Sequence, residues 1–252
     1  MRRVRKLARL LTRPVWRLGL RLGVAAAVEH DAAIRRVAPA AVLDLGAHRG
    51  QFVLAVKGVR PGAAIEAVEP QADAAAVART VADAVGGVRV HRAAVRPERG
   101  RAGLTRAARS DSSSLLPIGA RQAAVFPGTH AAGRETVPAA PLADLVDAAT
   151  LPRPLLLKLD VQGAELDVLR AAGPALARAD GVLCECSDVT LYPGQALRPQ
   201  ILTVLARWGF APVWTMNAVH APGLGRVQAD VLCVRDVTSA SAAGSAASAQ
   251  RS

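Results

Sequence analysis

The segment Ala41-Val42-Leu43-Asp44-Leu45-Gly46-Ala47-His48-Arg49-Gly50-Gln51-Phe52 limits what this chain can fold into more than any other stretch. A short apolar run ends in an acid, two glycines bracket a tight turn, and Phe52, Ala55, Val56 and Val59 then follow helical spacing. Strand, glycine turn and helix in that order form the entrance to a doubly wound α/β sheet. Gly46 and Gly50 let the backbone turn sharply and let a ligand approach it closely. The amides opening the helix near Gln51 are expected to face the crevice and favour a negative group such as a carboxylate. The spacing is not the dinucleotide fingerprint, because His48 stands where its second glycine belongs and a third glycine is missing.

The rest of the chain alternates in the same manner. Strands are expected at Ala64–Val68, Val88–Val95, Leu155–Asp160 and Gly181–Cys186, with two closing strands at Val213–Met216 and Val227–Val234. Helices are expected at Val24–Val37, Gln51–Val59, Gln71–Val85, from Leu142, after Glu165 (Leu166, Leu169 and Ala172 on one face) and from Leu197 to Trp208. The fold class is therefore α/β: a doubly wound, mostly parallel seven-stranded Rossmann-like sheet with helices on both faces. Glu69 ends the second strand, 25 residues after Asp44, where such folds carry a ribose-binding carboxylate. Ala94, in the third strand, is expected to pass beside the base. Residues 96–140, rich in Arg, Gly, Pro and Ser, read as a long loop or hairpin insertion, a candidate substrate lid.

At 252 residues the chain suits one substantial core, placed at 29–236, with a Ser/Ala/Gly-rich tail at 237–252 expected to be disordered. The formal charge is +12, but eight of the Arg and Lys lie in residues 1–28 together with no acid, so a basic arm precedes a mildly basic domain. In that arm Arg2, Lys6, Arg9, Arg13, Arg17 and Arg21 form one helical stripe, and Val4, Leu7, Leu11, Val15, Leu18 and Leu22 the opposite one. Pro14 kinks or divides the helix. Two readings stay open: a helix lying on anionic lipid, or one packed over an end of the domain with its arginines solvated. The arm fits a secretory signal poorly and has no uncharged run of the roughly 18 residues needed to span a bilayer. Cys184, Cys186 and Cys233 fall in strands and read as reduced core thiols, since no further ligands stand at metal spacing. The expected location is cytoplasmic, peripheral on the inner membrane face if the arm binds lipid.

With these pieces in place the chain resembles the FkbM-type S-adenosylmethionine-dependent methyltransferases. The resemblance rests on Asp44 to Phe52, on Glu69-Pro70 and Ser112-Ser113-Ser114-Leu115, and above all on Leu157-Lys158-Leu159-Asp160-Val161-Gln162-Gly163-Ala164-Glu165. It extends through Glu185, Leu191-Tyr192-Pro193-Gly194-Gln195, Gly209-Phe210 and Asp230 to Arg235, covering roughly residues 40–236. The family often has Asn at the place of His48 and Glu at that of Gln162.

The resemblance implies S-adenosylmethionine as cofactor and methyl transfer to a hydroxyl of a sugar, glycan or secondary metabolite. On that reading Asp44, Gly46, His48, Gly50, Gln51, Glu69 and Ala94 hold the cofactor, and Asp160, Lys158 and Glu165 serve the chemistry, with no metal. A hydroxyl must lose its proton to react, and Asp160 stands at the carboxyl end of a central strand. Two rivals differ in class. Nucleobase methylation would suit the charge, but Asp160-Val161-Gln162-Gly163 is not the Asp/Asn-Pro-Pro-aromatic signature, and aromatics make up only 3% of the chain, few for stacking an extruded base. A non-catalytic, membrane-docked scaffold has Gln162 as its one support.

Overall fold

The computed structural model describes residues 2–235. Helices α1 (Arg2–Leu10) and α2 (Pro14–Arg21) lead through a 3-10 turn (Val28–His30) to α3 (Asp31–Val37), β1 (Ala41–Leu45), α4 (Gln51–Val59), β2 (Ala64–Val68), α5 (Ala72–Val85) and β3 (Val88–His91). A small layer follows, made of β4 (Ala94–Val95), β5 (Gly100–Ala107), α6 (Ala120–Val125) and β6 (Ala131–Ala140). The chain then returns through α7 (Leu142–Leu145), β7 (Leu155–Leu159), α8 (Glu165–Ala171), α9 (Gly173–Arg178), β8 (Gly181–Ser187), α10 (Arg198–Arg207), β9 (Phe210–Ala221) and β10 (Gly225–Arg235).

The main sheet runs β3-β2-β1-β7-β8-β10-β9, parallel except for β10, which is antiparallel to both neighbours. Connections move outward from β1 on one side and from β7 on the other, so the order reverses between these two strands. A crevice opens at the carboxyl ends of strands where such a reversal occurs. Both strands are buried along their whole length, which is why they read as unbroken apolar runs. Leu43, Leu45, Leu155, Leu157 and Leu159 feed one core layer with α8, α9 and α10. Val42 and Leu156 feed the other, with Phe52, Leu54, Ile34 and Trp16. Asp44 and Lys158 are direct partners across the β1–β7 ladder and project to that second side.

Three expectations are corrected, and one open alternative is decided. Only the end of Val24–Val37 is helical, because Val24 N–H closes α2 on Gly19 O and Ala27 N–H is taken by Gln51 O. The strand read at Val88–Val95 breaks: β3 pairs with β2 only to His91 opposite Val68, where Glu69-Pro70 turns β2 away, and Ala94–Val95 pairs with Ala139–Ala140 instead. Of the two readings of residues 96–140, the hairpin is the one formed: β5 and β6 pair antiparallel with a short helix between them and join β4 as a second sheet. The closing strands are longer than expected and form one hairpin.

The arm divides at Pro14, and its second half belongs to the core. Trp16 is buried and its Nε1 donates to Leu54 O at 3.0 Å. A Cβ on Gly58 would overlap that indole, so α4 lets α2 sit this close only because the position is glycine. The tail at 237–252 lies outside the described residues.

Candidate active site

A crevice of about 350 Å³ lies at the carboxyl ends of β1 and β7, with Asp111 and Ser113 to Leu115 forming part of its wall. Gly46, His48, Gln51, Glu69, Ala94, Lys158 and Asp160 line it; Asp44, Gly50 and Glu165 do not. The wall is built first by the turn after β1. Gly46 has φ +83°, and a Cβ there would overlap the Asp160 carbonyl, so the turn can rest on β7 only without a side chain. Gly50 begins α4 in the left-handed region and packs against Val81 and Ala78.

The amides of the turn itself are taken up within the protein. Gly46 and Ala47 donate to Val68 O and Gly50 to Ala47 O. His48 N–H donates to Glu69 Oε2 at 2.8 Å, and Arg49 N–H to Gln51 Oε1 at 3.1 Å. The amides that open α4, those of Gln51, Phe52 and Val53, have no backbone acceptor, and Leu54 N–H is the first to find one, on Gly50 O at 3.0 Å, so the donors expected to face a negative group are the ones left over.

The Arg49 bond fixes the orientation of the Gln51 amide, so its Nε2 donates to His48 Nδ1 at 3.1 Å. His48 Nε2 therefore carries the proton and donates to Ser110 Oγ at 2.9 Å. Burial lowers the His48 pKa, in keeping with this neutral ring. With one nitrogen protonated and the other occupied, His48 holds the wall and has no free lone pair to act as a base.

Glu69 is 3% exposed, and burial pushes its carboxyl up to about 7 against the pull of three donors. Besides the His48 amide these are Gln71 N–H at 2.9 Å and Gln71 Nε2 at 3.3 Å, both on Oε1. The carboxylate is thus fixed on the crevice wall with its remaining lone pairs available to a hydroxylated ligand.

Opposite stands the Lys158 cluster. Lys158 Nζ donates to Gly46 O at 2.9 Å and lies 3.1 Å from Asp44 Oδ1 and 3.5 Å from Asp160 Oδ2. The Asp44 approach is at ion-pair distance but too bent for a hydrogen bond, leaving both Asp44 oxygens without one. Burial opposes the charge on Lys158, but Asp44 and Asp160 outweigh it and the ammonium is held above its ordinary range. Burial raises the Asp44 carboxyl while Lys158 pulls it back. Asp44 is thus the buried counterion behind the crevice wall, and Lys158 is a fixed cation tying β7 to the β1 turn.

Asp160 keeps 37% of its side chain accessible. Its Oδ1 accepts from Gln162 Nε2 at 2.7 Å, and the same amide reaches Glu185 Oε2 at 2.9 Å, so one NH₂ group holds two carboxylates. Gln162 sits at φ +53°. Ser114 Oγ donates to its carbonyl at 2.6 Å, and Tyr192 Oη lies 2.7 Å from its Oε1. Glu165 is placed apart from this network. It is 4% exposed, and its Oε1 accepts from Val161 N–H at 3.2 Å and Gly163 N–H at 3.0 Å, fixing the loop that presents Asp160 and Gln162.

Three contributors escaped the sequence reading. His30 lines the crevice with Nε2 2.9 Å from Asp230 Oδ2, two hundred residues away. Gln71 braces Glu69, and Tyr192 joins Ser112 O to Gln162. For Tyr192 a signal existed, since it is the single tyrosine of the chain.

No curated protein matches this chain. Among solved structures it is similar to the N-terminal domain of EvdMO1 crystallised in the presence of SAH and D-fucose, at 12% identity over 84% of this chain and 86% of that one, TM-score 0.49. Against the longer EvdMO1 structure it spans 40% of that chain, at 14% identity over 82% of its own length, TM-score 0.46. Aeropyrum pernix fibrillarin with bound S-adenosyl-L-methionine is similar at 17% identity over 77% of this chain and 65% of that one, TM-score 0.44. The Methyltransferase FkbM domain matches residues 44–212, from the end of β1 into β9. The chain belongs to the FkbM methyltransferase domain family, whose cofactor is S-adenosylmethionine.

Proposed function

We propose that the protein is an O-methyltransferase that moves a methyl group to a hydroxyl of a sugar, glycan or secondary metabolite, with Asp160 taking the hydroxyl proton. The observation that carries this reading is the state of Asp160. It is a partly exposed carboxylate at the crevice, fixed by Gln162 on one oxygen and faced by Lys158 near the other. Glu69 is locked by amides, and Asp44 and Glu165 do not reach the crevice.

The residues present fit the cofactor. Glu69 offers a buried acceptor for the ribose hydroxyls, and Leu45, Val68 and Ala94 offer an apolar strip for a flat base. When bound, S-adenosylmethionine supplies a methyl group on a positive sulfur. Because that transfer is a single in-line displacement, the protein must mainly align donor and acceptor and receive one proton. Gln162 holds Asp160 in place by one oxygen, and the Lys158 ammonium lies 3.5 Å from the other. The side chain can then orient a hydroxyl by accepting its hydrogen bond, and take the proton as the oxygen–methyl bond forms. Asp111 and Ser113 to Leu115 narrow the crevice from the side of the second sheet.

The test is methyl transfer from labelled S-adenosylmethionine to a panel of sugars and hydroxylated metabolites, with the linkage read by mass spectrometry. Label on oxygen, abolished by Asp160→Asn, is the expected result. Label on nitrogen, or full turnover in that variant, overturns the assignment.

A further inference from the structure

An ordinary surface helix buries its apolar stripe and turns its charges to water. Helix α1 departs from this pattern. Lys6 points back at the body of the protein, with Nζ 2.9 Å from Glu29 Oε2, and Arg9 does the same, 2.9 Å from Asp31 Oδ2. Leu10 is buried beneath them. Val4, Leu7 and Leu11 face outward with 72%, 53% and 52% of their surface accessible. They are spaced i, i+3 and i+7, so they form one continuous stripe, and Arg5 is exposed at its flank. Among the described residues no helix is long and apolar enough to cross a membrane, so this stripe can meet lipid only by lying along it.

Charge selects the occupant. Residues 1–28 carry eight cations and no acid on a chain of net charge +12. A second copy docking stripe to stripe would bring two such arms together, and like charges oppose that contact. An anionic bilayer meets the apolar stripe with acyl chains and the flanking Arg5 with headgroup phosphates.

We infer that α1 is a docking element for an anionic lipid surface. Lys6 and Glu29 also edge the crevice, so a molecule docked through α1 carries the crevice mouth about one helix diameter, roughly 10 Å, from the headgroups. The stripe lies outside the catalytic and cofactor-binding residues, and the inference stands whatever the methyl acceptor proves to be.

The experiment is co-sedimentation of the full chain with phosphatidylglycerol–phosphatidylcholine vesicles and with phosphatidylcholine alone. It compares wild type with Arg5→Glu and with the triple variant Val4→Ser, Leu7→Ser, Leu11→Ser. These side chains are exposed, so an unchanged melting temperature and unchanged S-adenosylhomocysteine binding are expected and certify the fold. Wild type is expected to bind only the anionic vesicles. The triple variant should partition at least about tenfold more weakly and Arg5→Glu about fivefold more weakly, since both apolar burial and charge contribute. Absence of wild-type binding overturns the inference. So does a triple variant that binds like wild type, which would reduce the effect to adsorption by charge. A lipid-free dimer in sedimentation velocity, lost in the triple variant, would assign the stripe to a second copy and equally overturn it.

Discussion

The two ends of the crevice are built on different principles. The Glu69 end comes from two short segments, the turn after β1 and the turn after β2, and most of its bonds are donated by backbone amides. The Asp160 end is a side-chain network gathered from four segments, around Ser112, Gln162, Glu185 and Tyr192. Backbone donors do not change with side-chain substitution, so the first end holds the same ligand through much sequence drift. The second can be re-aimed by one replacement. On the function proposed above, the end of constant shape suits the cofactor and the adjustable end suits the acceptor.

This contrast can be broken by experiment, beginning with the strongest expected effect. Asp160→Ala should lower turnover about 10²- to 10⁴-fold, the usual worth of a positioned general base. S-adenosylhomocysteine affinity, read by calorimetry, should stay within about twofold. A comparable loss of affinity would show that the two ends are one. Next, Glu69→Ala removes the carboxylate that the His48 and Gln71 amides hold, and should weaken cofactor binding roughly 10- to 100-fold, the scale of a charge-assisted hydrogen bond. Unchanged affinity would remove the assigned ribose contact. A third substitution sharpens the picture. Gln162→Glu takes away the NH₂ that joins Asp160 to Glu185 and puts a third carboxylate between them. Three acids at hydrogen-bond distance cannot all ionise, so the cluster retains a proton to higher pH. The acidic limb of the kcat profile should move up by about one pH unit, with activity recovering as pH rises. Gln162→Leu, which adds no charge, should lower kcat without moving the limb.

The same contrast explains which features could be seen in the sequence. β1, β7, α4 and the place of Glu69 were legible because each is set by neighbours in the chain: an apolar run, a glycine turn, an acid before proline. The crevice followed, since strand alternation alone puts it where the order reverses. The fate of Lys158 was not legible. That it faces Asp44 depends on the β1–β7 register, and this pairing makes it a tie between the two strands as well as a cation on the crevice wall. Glu165 looked the same in sequence whether it touched a ligand or its own loop, and only the three-dimensional course of Val161 to Gly163 decides. The arm carries one amphipathic pattern throughout, yet α2 is core and α1 is not. What separates them is the glycine at position 58 that admits Trp16, some forty residues away.

Glu165 also supplies the test with the smallest expected effect on either end of the crevice. Burial pushes its carboxyl up to about 7 from an ordinary 4.5. Between those values the folded chain keeps a proton that the unfolded chain has released, so unfolding releases a proton and stability falls as pH rises through the window. The contribution is fully present below about pH 4.5 and gone above about 7, on the order of 3 kcal/mol for a shift of this size. Glu165→Gln keeps an oxygen for the Val161 and Gly163 amides but has no proton to lose. Chemical denaturation from pH 4.5 to 8 should therefore show a shallower decline for the variant than for wild type, with turnover and cofactor affinity at pH 7 both within about twofold. If turnover instead collapsed while the loop stayed folded, Glu165 would have to reach the acceptor. The Asp160 end would then extend behind the loop that now shields it.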